Sequence, residues 1–395
     1  MMKDRQLPVI LMLGTTQTLA WASSYYLPAI LADPIAHELG ISSNWFFAAF
    51  SAALVISGLL GPRVGRQIDL VGGRSVLCAS NVILAAGLAL LGASTSIWMM
   101  SGAWVLLGIG MGLGLYDAAF AALGRIYGDG ARKAITGITL LAGFASTVGW
   151  PLSSFGLEHL GWRQTCFTWA AAHILIGLPL NLLLPRTKRL THEAANAPSP
   201  HIAIDRTMVL LAFAFAAAWT VTAAMAAHLP RIVEALGATP AQAVFAGAMI
   251  GPAQVAARIA EAGLLSRYHP LISTRLACIG HPVGACLIGL LGGSGAALFA
   301  LLHGAGNGIL TIARGTLPLA IFGPENYGYR LGLLGAPSRL CQALAPLGFG
   351  LLIDLMGGKV LIVSSLLSLA ALVALLLLSS ATESLNEHMT TRSSS

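Results

Sequence analysis

Three charged residues lie inside long apolar stretches of the chain, where a charge is costly. Asp117 follows a glycine-rich run (GIGMGLGLYD), Arg314 follows a second such run (GAGNGILTIARG), and Arg339 lies within a third apolar stretch. A charge at the centre of a membrane helix costs about 2.5–3.5 kcal/mol on insertion scales, so each one needs a reason. An acid can take up a proton and an arginine can hold an anionic group, which predicts a proton-titrating or ion-binding site.

The two glycine runs place Asp117 and Arg314 at nearly the same depth when Gly112 is aligned with Gly308. We predict that both are functional: Arg314 would hold an anionic or polar substrate group, or the counter-charge of Asp117, and Asp117 would titrate or form the ion pair. The alternative is a structural ion pair that locks helices together. Arg339 is a further candidate, which could instead neutralise Asp117.

Aromatic, histidine and amide side chains in the apolar stretches complete the candidate substrate and coupling site. They are Trp21, Tyr25, Tyr26, His228, His303 and Asn307. Aromatic residues near the end of a span either anchor at the membrane interface or form a wall that stacks a planar solute. A histidine there either titrates near neutral pH or serves as an interhelical hydrogen-bond donor.

The elements that position these residues are predicted to be membrane spans. The chain of 395 residues is 56% hydrophobic and 9% charged, with a mean hydropathy of +0.79, whereas soluble domains carry about 25% charged residues. Its apolar blocks have the length, about 20 residues, that crosses the hydrocarbon of a bilayer. Twelve spans fit, at about 7–31, 43–60, 75–93, 98–124, 134–156, 164–184, 207–229, 241–260, 271–291, 294–322, 329–353 and 359–379.

Several classes of function are not expected. The five cysteines are scattered without paired or metal-ligand spacing, so we predict no metal, disulfide or redox site. No G-x-x-x-x-G-K-S/T loop occurs, so ATP drive is not expected, and no nucleophile–base arrangement indicates an enzyme or a cofactor. The net charge of +7 comes from short loops rather than a basic face, which argues against nucleic acid as a partner.

Most of the 22 Lys and Arg residues lie in alternate loops, on the same side as the N-terminus. The positive-inside rule therefore predicts a multi-pass protein of the cell (inner) membrane with both termini cytoplasmic. The first apolar run is long and lacks a cleavage site, so no cleavable signal peptide is expected.

The chain is predicted to contain two similar halves. The run Gly108-x-Gly110-x-Gly112 in the first half has the same spacing as Gly304-x-Gly306-x-Gly308 in the second. The segment PLSSFGLEHLG in the first half likewise resembles PLGFGLLIDLMG in the second. One long polar segment separates them. We predict an N-terminal six-helix half (1–184), a cytosolic linker (185–206), a C-terminal six-helix half (207–380) and a cytosolic tail (381–395).

The segment GPRVGRQIDLVGGR, residues 61–74, is glycine-rich and arginine-rich between two apolar runs, which predicts a cytosolic loop. Its spacing resembles the G-x-x-x-D-R-x-G-R-R signature between helices 2 and 3 of the major facilitator superfamily. Leu70 stands where that signature has Arg, and Gly73 stands where it has the next basic residue. The duplicated halves and the central linker resemble the same family over essentially the whole chain.

This resemblance implies an all-α integral membrane fold with 12 transmembrane helices in two pseudo-symmetric six-helix halves. It also implies alternating access, with spans 1, 4, 7 and 10 lining a central cavity. The residues implied in gating are Gly65, Asp69, Gly72, Arg74 and Arg125. Asp69 would pair with the two arginines and face the N-terminal end of span 11 near Tyr329.

We predict a secondary-active, proton-coupled transporter of a small organic solute, anionic or polar, such as an organic acid, vitamin or drug. Its partners would be this solute, protons and the lipid bilayer, and the family's usual state is a monomer. An alternative is efflux of a toxic compound such as a drug or metalloid. From another class, a membrane sensor that does not transport stays open, while a channel is disfavoured because no pore ring repeats.

Overall fold

The structure is a computed structural model and describes residues 6–187 and 202–393, with side chains described as far as residue 378. Helices are its main elements. In chain order they are α1 (Gln6–Ser23), α2 (Pro28–Glu38), α3 (Ser43–Val71), α4 (Gly73–Gly92), α5 (Ile97–Gly114), α6 (Tyr116–Tyr127), α7 (Ala131–Ala142), α8 (Ala145–Ala172), α9 (Leu178–Leu182), α10 (Arg206–Glu234), α11 (Pro240–Ala260), α12 (Pro270–Leu291), α13 (Ala296–Phe322), α14 (Tyr327–Met356) and α15 (Val360–Ser393).

The contacts divide the chain into two compact units. The first contains α1 to α9 together with the segment Phe322–Ala343, which holds the first part of α14. The second contains α10 to α13 as far as Ile321, the rest of α14 and α15. Most of the predicted linker, 185–206, lies outside the described residues, and the predicted tail begins as a continuation of α15.

Seven helical stretches of the described chain are long and apolar enough to cross a membrane. Three of them run for 86, 53 and 52 residues, far beyond the roughly 20 residues of one crossing, so each contains more than one span. The longest includes α8, which turns back at Gly161, where φ is +81°.

The prediction of a loop over residues 61–74 is wrong for most of its length. Helix α3 continues through Pro62 to Val71, and α4 begins at Gly73. Only Gly72, with φ of +90°, leaves helical geometry between them. The other glycines of the segment serve close helix packing rather than a turn.

The glycine runs of spans 4 and 10 make equivalent contacts in the two units. A Cβ at Gly108 of α5 would lie 2.7 Å from the carbonyl oxygen of Ala53 on α3. A Cβ at Gly304 of α13 would lie 2.8 Å from the carbonyl oxygen of Ile250 on α11. Small residues that bring helix backbones together in this way are typical of membrane interfaces.

One arginine ties three turns of the first unit together. The Arg163 guanidinium donates to the carbonyl oxygens of Gly92, at 3.0 Å, and Ser94, at 2.7 Å. It also donates to the Glu38 carboxylate at 2.8 Å, and the Trp162 indole donates to the same carboxylate at 2.6 Å. We call this cluster the Arg163 clasp. It joins the end of α2, the end of α4 and the turn within α8.

Stability is expected to depend on pH through the clasp. Hydrogen bonds from Trp162 and Arg163 lower the pKa of Glu38 below its ordinary value. The unfolded chain binds a proton more readily, so the carboxylate stabilises the fold above the ordinary Glu pKa of about 4.3. That contribution disappears as the pH falls through the folded-state pKa.

Thermal unfolding of wild type and Glu38→Gln checks this. The wild type should be the more stable protein at about pH 7, and the difference should be smaller at about pH 3, below the ordinary Glu pKa. The exposed carboxylate Glu158 provides the matched control, Glu158→Gln, which should follow wild type at both values. An equal gap between wild type and Glu38→Gln at both pH values would contradict the prediction.

Candidate functional site

Span 4 is broken in the middle, next to the predicted acid. Helix α5 ends at Gly114, Leu115 is extended (φ −77°, ψ −173°) and α6 begins at Tyr116. The backbone N–H of Ala118 donates to the Leu115 carbonyl, so it does not serve the Gly114 carbonyl as a continuous helix would require. The side-chain amide of Gln17 on α1 donates to that carbonyl instead, at 2.6 Å.

The break places Asp117 in the first turn of α6, beside Arg339 of α14. A guanidinium nitrogen of Arg339 lies 3.8 Å from a carboxylate oxygen of Asp117. Their side chains are 5% and 21% exposed, respectively. Charge-assisted N–H···O bonds are usually about 2.7–2.9 Å long, so this ion pair is looser than a closed hydrogen bond.

A chain of polar groups extends from this pair to the turn between α1 and α2. Arg339 donates to the side-chain oxygen of Gln342 at 3.1 Å, and the side-chain NH₂ of Gln342 donates to the Tyr25 hydroxyl at 2.9 Å. The Arg339 guanidinium also lies 5.8 Å from the ring centroid of Trp21, within the range of a cation–π contact. Two predicted aromatics therefore surround the predicted arginine.

The predicted aromatics form one wall at the end of α1 and in the turn that follows it. The Trp21 ring lies 5.2 Å from Tyr25, 6.2 Å from Tyr26 and 4.9 Å from Tyr116 of α6, centroid to centroid. Tyr26 also contacts Trp150 at 5.9 Å. Since Trp21 is only 6% exposed, it packs inside the unit rather than at a surface.

Asp117 and Arg339 line a cavity of about 10 Å³ together with Ser57 and Met111. One buried water needs about 10–15 Å³. In this conformation the cavity therefore has room for about one water molecule and none for an organic solute.

Arg314 and Asn307, two predicted residues of the second unit, have different partners. The Arg314 guanidinium lies 5.2 Å from the Trp219 ring centroid, and Arg314 is 4% exposed. The Thr222 hydroxyl donates to the Asn307 side-chain oxygen at 3.0 Å. That Arg314 faces Asp117 stays a prediction, since the two belong to different units.

The two predicted histidines also differ from each other. His228 donates through Nε2 to the Pro346 carbonyl at 2.7 Å, the arrangement of an interhelical donor. His303 contacts a second histidine, His281, which was not among the predicted site residues. A buried histidine on a neighbouring span has no sequence signature of its own.

Asp69, the acid of the motif, contacts the start of α14. Its two carboxylate oxygens accept the backbone N–H groups of Gly328, at 2.9 Å, and Tyr329, at 2.8 Å. A carboxylate at a helix N-terminus is stabilised by the unpaired N–H groups and by the helix dipole. Arg125 acts on this carboxylate electrostatically. Arg74, expected beside Asp69, instead donates to the Leu184 carbonyl at 3.4 Å.

Glycines from both helices allow this contact. A Cβ at Gly65 of α3 would overlap the Gly328 carbonyl of α14, and a Cβ at Gly332 would overlap the Gly61 carbonyl. The two pairs are spaced four residues apart on each helix, the spacing of a small-xxx-small face. Gly65 is therefore required by packing, whereas Gly72 is required by its backbone angle.

Gln17, Gln342 and the α14 glycines are the site residues for which the sequence offered the weakest signal. A glutamine in an apolar span is visible as a polar exception. The acceptor of Gln17, however, is the Gly114 carbonyl, which is freed by the break at Leu115, and the glycine run that ends there did not by itself indicate a break. Gly328 and Gly332 of α14 can be paired with Gly65 and Gly61 of α3 only when the crossing of the two helices is known.

The family model that matches is the Major Facilitator Superfamily, over residues 13–302. No curated protein matches the chain in sequence. Among solved structures, the chain is similar to the human organic anion transporter MFSD10 (TETRAN), with 18% identity, a TM-score of 0.68 and coverage of 94% of this chain and 99% of that one.

Two further structures are similar. The proton:xylose symporter XylE, bound to 6-bromo-6-deoxy-D-glucose, has 12% identity, a TM-score of 0.74 and coverage of 94% of both chains. The transporter FucP in the outward conformation has 14% identity, a TM-score of 0.72 and coverage of 93% of this chain and 97% of that one. Identities this low show a shared fold.

Proposed function

Because this chain belongs to the major facilitator superfamily, a family of multi-pass membrane transporters, we propose that it carries a small organic solute by proton-coupled secondary transport. The chain has the all-α fold of that family, with two pseudo-symmetric six-helix halves.

The observation that carries the proposal is the loose ion pair of Asp117 and Arg339 at the break in span 4. An acid and a base buried in apolar helices are costly, and in membrane proteins such groups mark proton relays and substrate pathways. Discontinuous helices have the same association with binding sites in transporters. Here both features occur at one place, with the guanidinium 3.8 Å from the carboxylate.

The pair suggests a mechanism of exchange. When Asp117 is ionised, its carboxylate is the counter-charge of Arg339. When Asp117 takes up a proton, it becomes neutral, and an anionic group of the solute can replace it beside the guanidinium. Proton and anion would then be bound together and released together, which is the requirement for coupling.

A solute with an anionic group fits this arrangement best. Arg339 presents a charged, planar donor that recognises a carboxylate or phosphate. The aromatic wall of Trp21, Tyr25 and Tyr26 would contact the apolar or planar part of the solute. Arg314 beside Trp219 offers a second arginine–aromatic pair in the other unit, and we propose it as a further anion-holding residue.

Proton flux in proteoliposomes tests the proposal. Vesicles with wild-type protein and an internal pH-sensitive dye would receive organic acids, vitamins, cationic drugs and arsenite one at a time. We expect an anionic solute to move protons in wild type and not in Asp117→Asn, which cannot exchange a proton. Asp354→Asn is the matched control, because Asp354 pairs with Arg231 at an exposed site.

Each alternative result has a distinct meaning. Solute-driven proton flux that persists in Asp117→Asn would remove Asp117 from coupling. Movement of a cationic drug or arsenite alone would favour efflux of toxic compounds. No flux with any solute, from purified monodisperse protein, would favour a sensor that does not transport.

A further inference from the structure

The second unit contains a buried pair of histidines that is separate from Asp117 and Arg339. Nδ1 of His281 on α12 lies 3.0 Å from Nδ1 of His303 on α13. Nε2 of His281 lies 2.8 Å from the hydroxyl oxygen of Ser364 on α15. His281, His303 and Ser364 are 4%, 5% and 0% exposed. One continuous chain of hydrogen bonds thus joins three helices.

The partners of Ser364 determine where the protons lie. Its hydroxyl donates to the Leu361 carbonyl at 3.1 Å, and a serine has one hydroxyl proton to donate. Toward His281 the Ser364 oxygen therefore accepts, so His281 Nε2 carries the hydrogen. In a neutral imidazole the other nitrogen is bare, so His281 Nδ1 accepts from the Nδ1–H of His303. His303 Nε2 is then the bare nitrogen of the pair.

His303 and His281 also line a cavity of about 20 Å³, which exceeds the volume that one water molecule needs. The other polar side chains around it come from four helices. They are Thr222 on α10, Cys278 on α12, Asn307 on α13 and Ser368 on α15. The titratable groups among the described lining residues are Cys278 and the two histidines, and these residues include no carboxylate, lysine or arginine.

We propose that His281 and His303 together form a binding site for one proton, which His303 Nε2 takes from a hydronium ion in the cavity. An N–H bond forms at Nε2, one O–H bond of the hydronium breaks and a water molecule is left behind. Every existing hydrogen bond of the pair is retained, because His303 Nδ1–H still donates to His281 Nδ1. A second proton would have to occupy His281 Nδ1, where it would face that N–H and break the bond between the rings.

A neighbouring ring can stabilise the added charge. Phe299 stacks on His303, with ring centroids 6.0 Å apart and planes inclined by 16°, and meets His281 edge-on at 5.4 Å. A cation within about 6 Å of an aromatic face is attracted by the ring electrons. Phe299 therefore offsets part of the cost of an imidazolium inside the span.

His173 in the first unit is a matched internal control. Its Nδ1 lies 2.9 Å from the Asn81 side-chain oxygen and its Nε2 lies 2.8 Å from the Ser23 hydroxyl. Both ring nitrogens have protein partners, and the side chain is 0% exposed. A buried histidine of this kind should keep its protonation state while the pair changes.

The test is a ¹⁵N NMR titration of the full chain, labelled at histidine and held in lipid nanodiscs without solute, from about pH 8 to about pH 4. The variants His303→Asn, His281→Gln and His173→Gln assign the signals, and the titration itself is read on wild type. We expect His303 Nε2 to change from a bare nitrogen to an N–H, while the signals of His281 and His173 stay those of neutral rings.

Two results would overturn the proposal: His303 staying neutral throughout, or His281 and His303 each taking up a proton. Proton binding by the pair does not depend on the proposed function; only the use of that proton in transport rests on it. Because the titration contains no solute, a failure of transport and a failure of proton binding are read separately.

Discussion

Replacing Gly65 by alanine is expected to remove most of the folded protein from the membrane. The added Cβ would overlap the backbone carbonyl of Gly328, and a backbone cannot move aside as a flexible side chain can. Helices α3 and α14 would have to separate, which also pulls Asp69 away from the start of α14. Overpacking costs about 1–3 kcal/mol and occasionally more, and we expect the upper end here because the neighbouring atom belongs to a backbone.

The measurement is the amount of monodisperse protein recovered after mild detergent extraction, together with its thermal unfolding midpoint. Gly251→Ala is the matched control. Gly251 precedes a proline inside a helix, as Gly61 does in α3, but a Cβ there would meet nothing within 4 Å. Recovery of Gly65→Ala at the level of Gly251→Ala would show that the close crossing is not needed for assembly.

Asp69→Asn is expected to lower transport by about tenfold or more while the protein remains in the membrane. Asp69 accepts two backbone N–H groups, one on each oxygen. Asparagine keeps one of these bonds and points an NH₂ at the other donor. A hydrogen bond to a charged group is worth about 1.5–3 kcal/mol, and about 1.4 kcal/mol corresponds to a tenfold change in an equilibrium.

Initial rates of solute uptake, normalised to the amount of reconstituted protein, measure this effect. Asp205 provides the matched control, since it caps α10 by accepting a single N–H, from Met208, at 2.8 Å. Asparagine caps helices about as well as aspartate, so Asp205→Asn should transport normally. If Asp69→Asn is instead absent from the membrane, Asp69 is a residue of stability rather than of gating.

The sequence was sufficient to predict the class of fold and the burial of two arginines, Arg314 and Arg339, but not that of Arg258 and Glu261. Apolar blocks of membrane length have few alternative structures, and an Asp or Arg inside such a block is visible as an exception. Arg339 and Tyr25 are accordingly part of one polar chain next to Asp117 in the structure. The family match confirms the predicted superfamily.

The partners of those residues could not be predicted in the same way. A repeat fixes how far along a helix a side chain lies, but not which neighbour it turns toward. The repeat therefore favoured Arg314 as the partner of Asp117 and treated Arg339 as an alternative, whereas Arg339 is the arginine that lies beside Asp117 in the first unit.

Glycine was ambiguous for a related physical reason. The same residue permits a turn and permits close approach of two backbones. Residues 61–74 were predicted to form a loop because glycine permits a turn. In the structure Gly61 and Gly65 lie within α3, where they permit close approach of the α14 backbone. Only knowledge of the opposing glycines on α14 separates the two interpretations.

The Arg163 clasp has a consequence for the order of events during biosynthesis. A chain is synthesised from its N-terminus, so Glu38, Gly92 and Ser94 leave the ribosome well before Arg163 does. The hydrogen bonds between Arg163 and the turns after α2 and α4 can therefore form only once the turn within α8 has been synthesised. A chain that stalls before residue 163 would lack the hydrogen bonds that join these turns, while the segment Phe322–Ala343, which also belongs to the first unit, is synthesised later still.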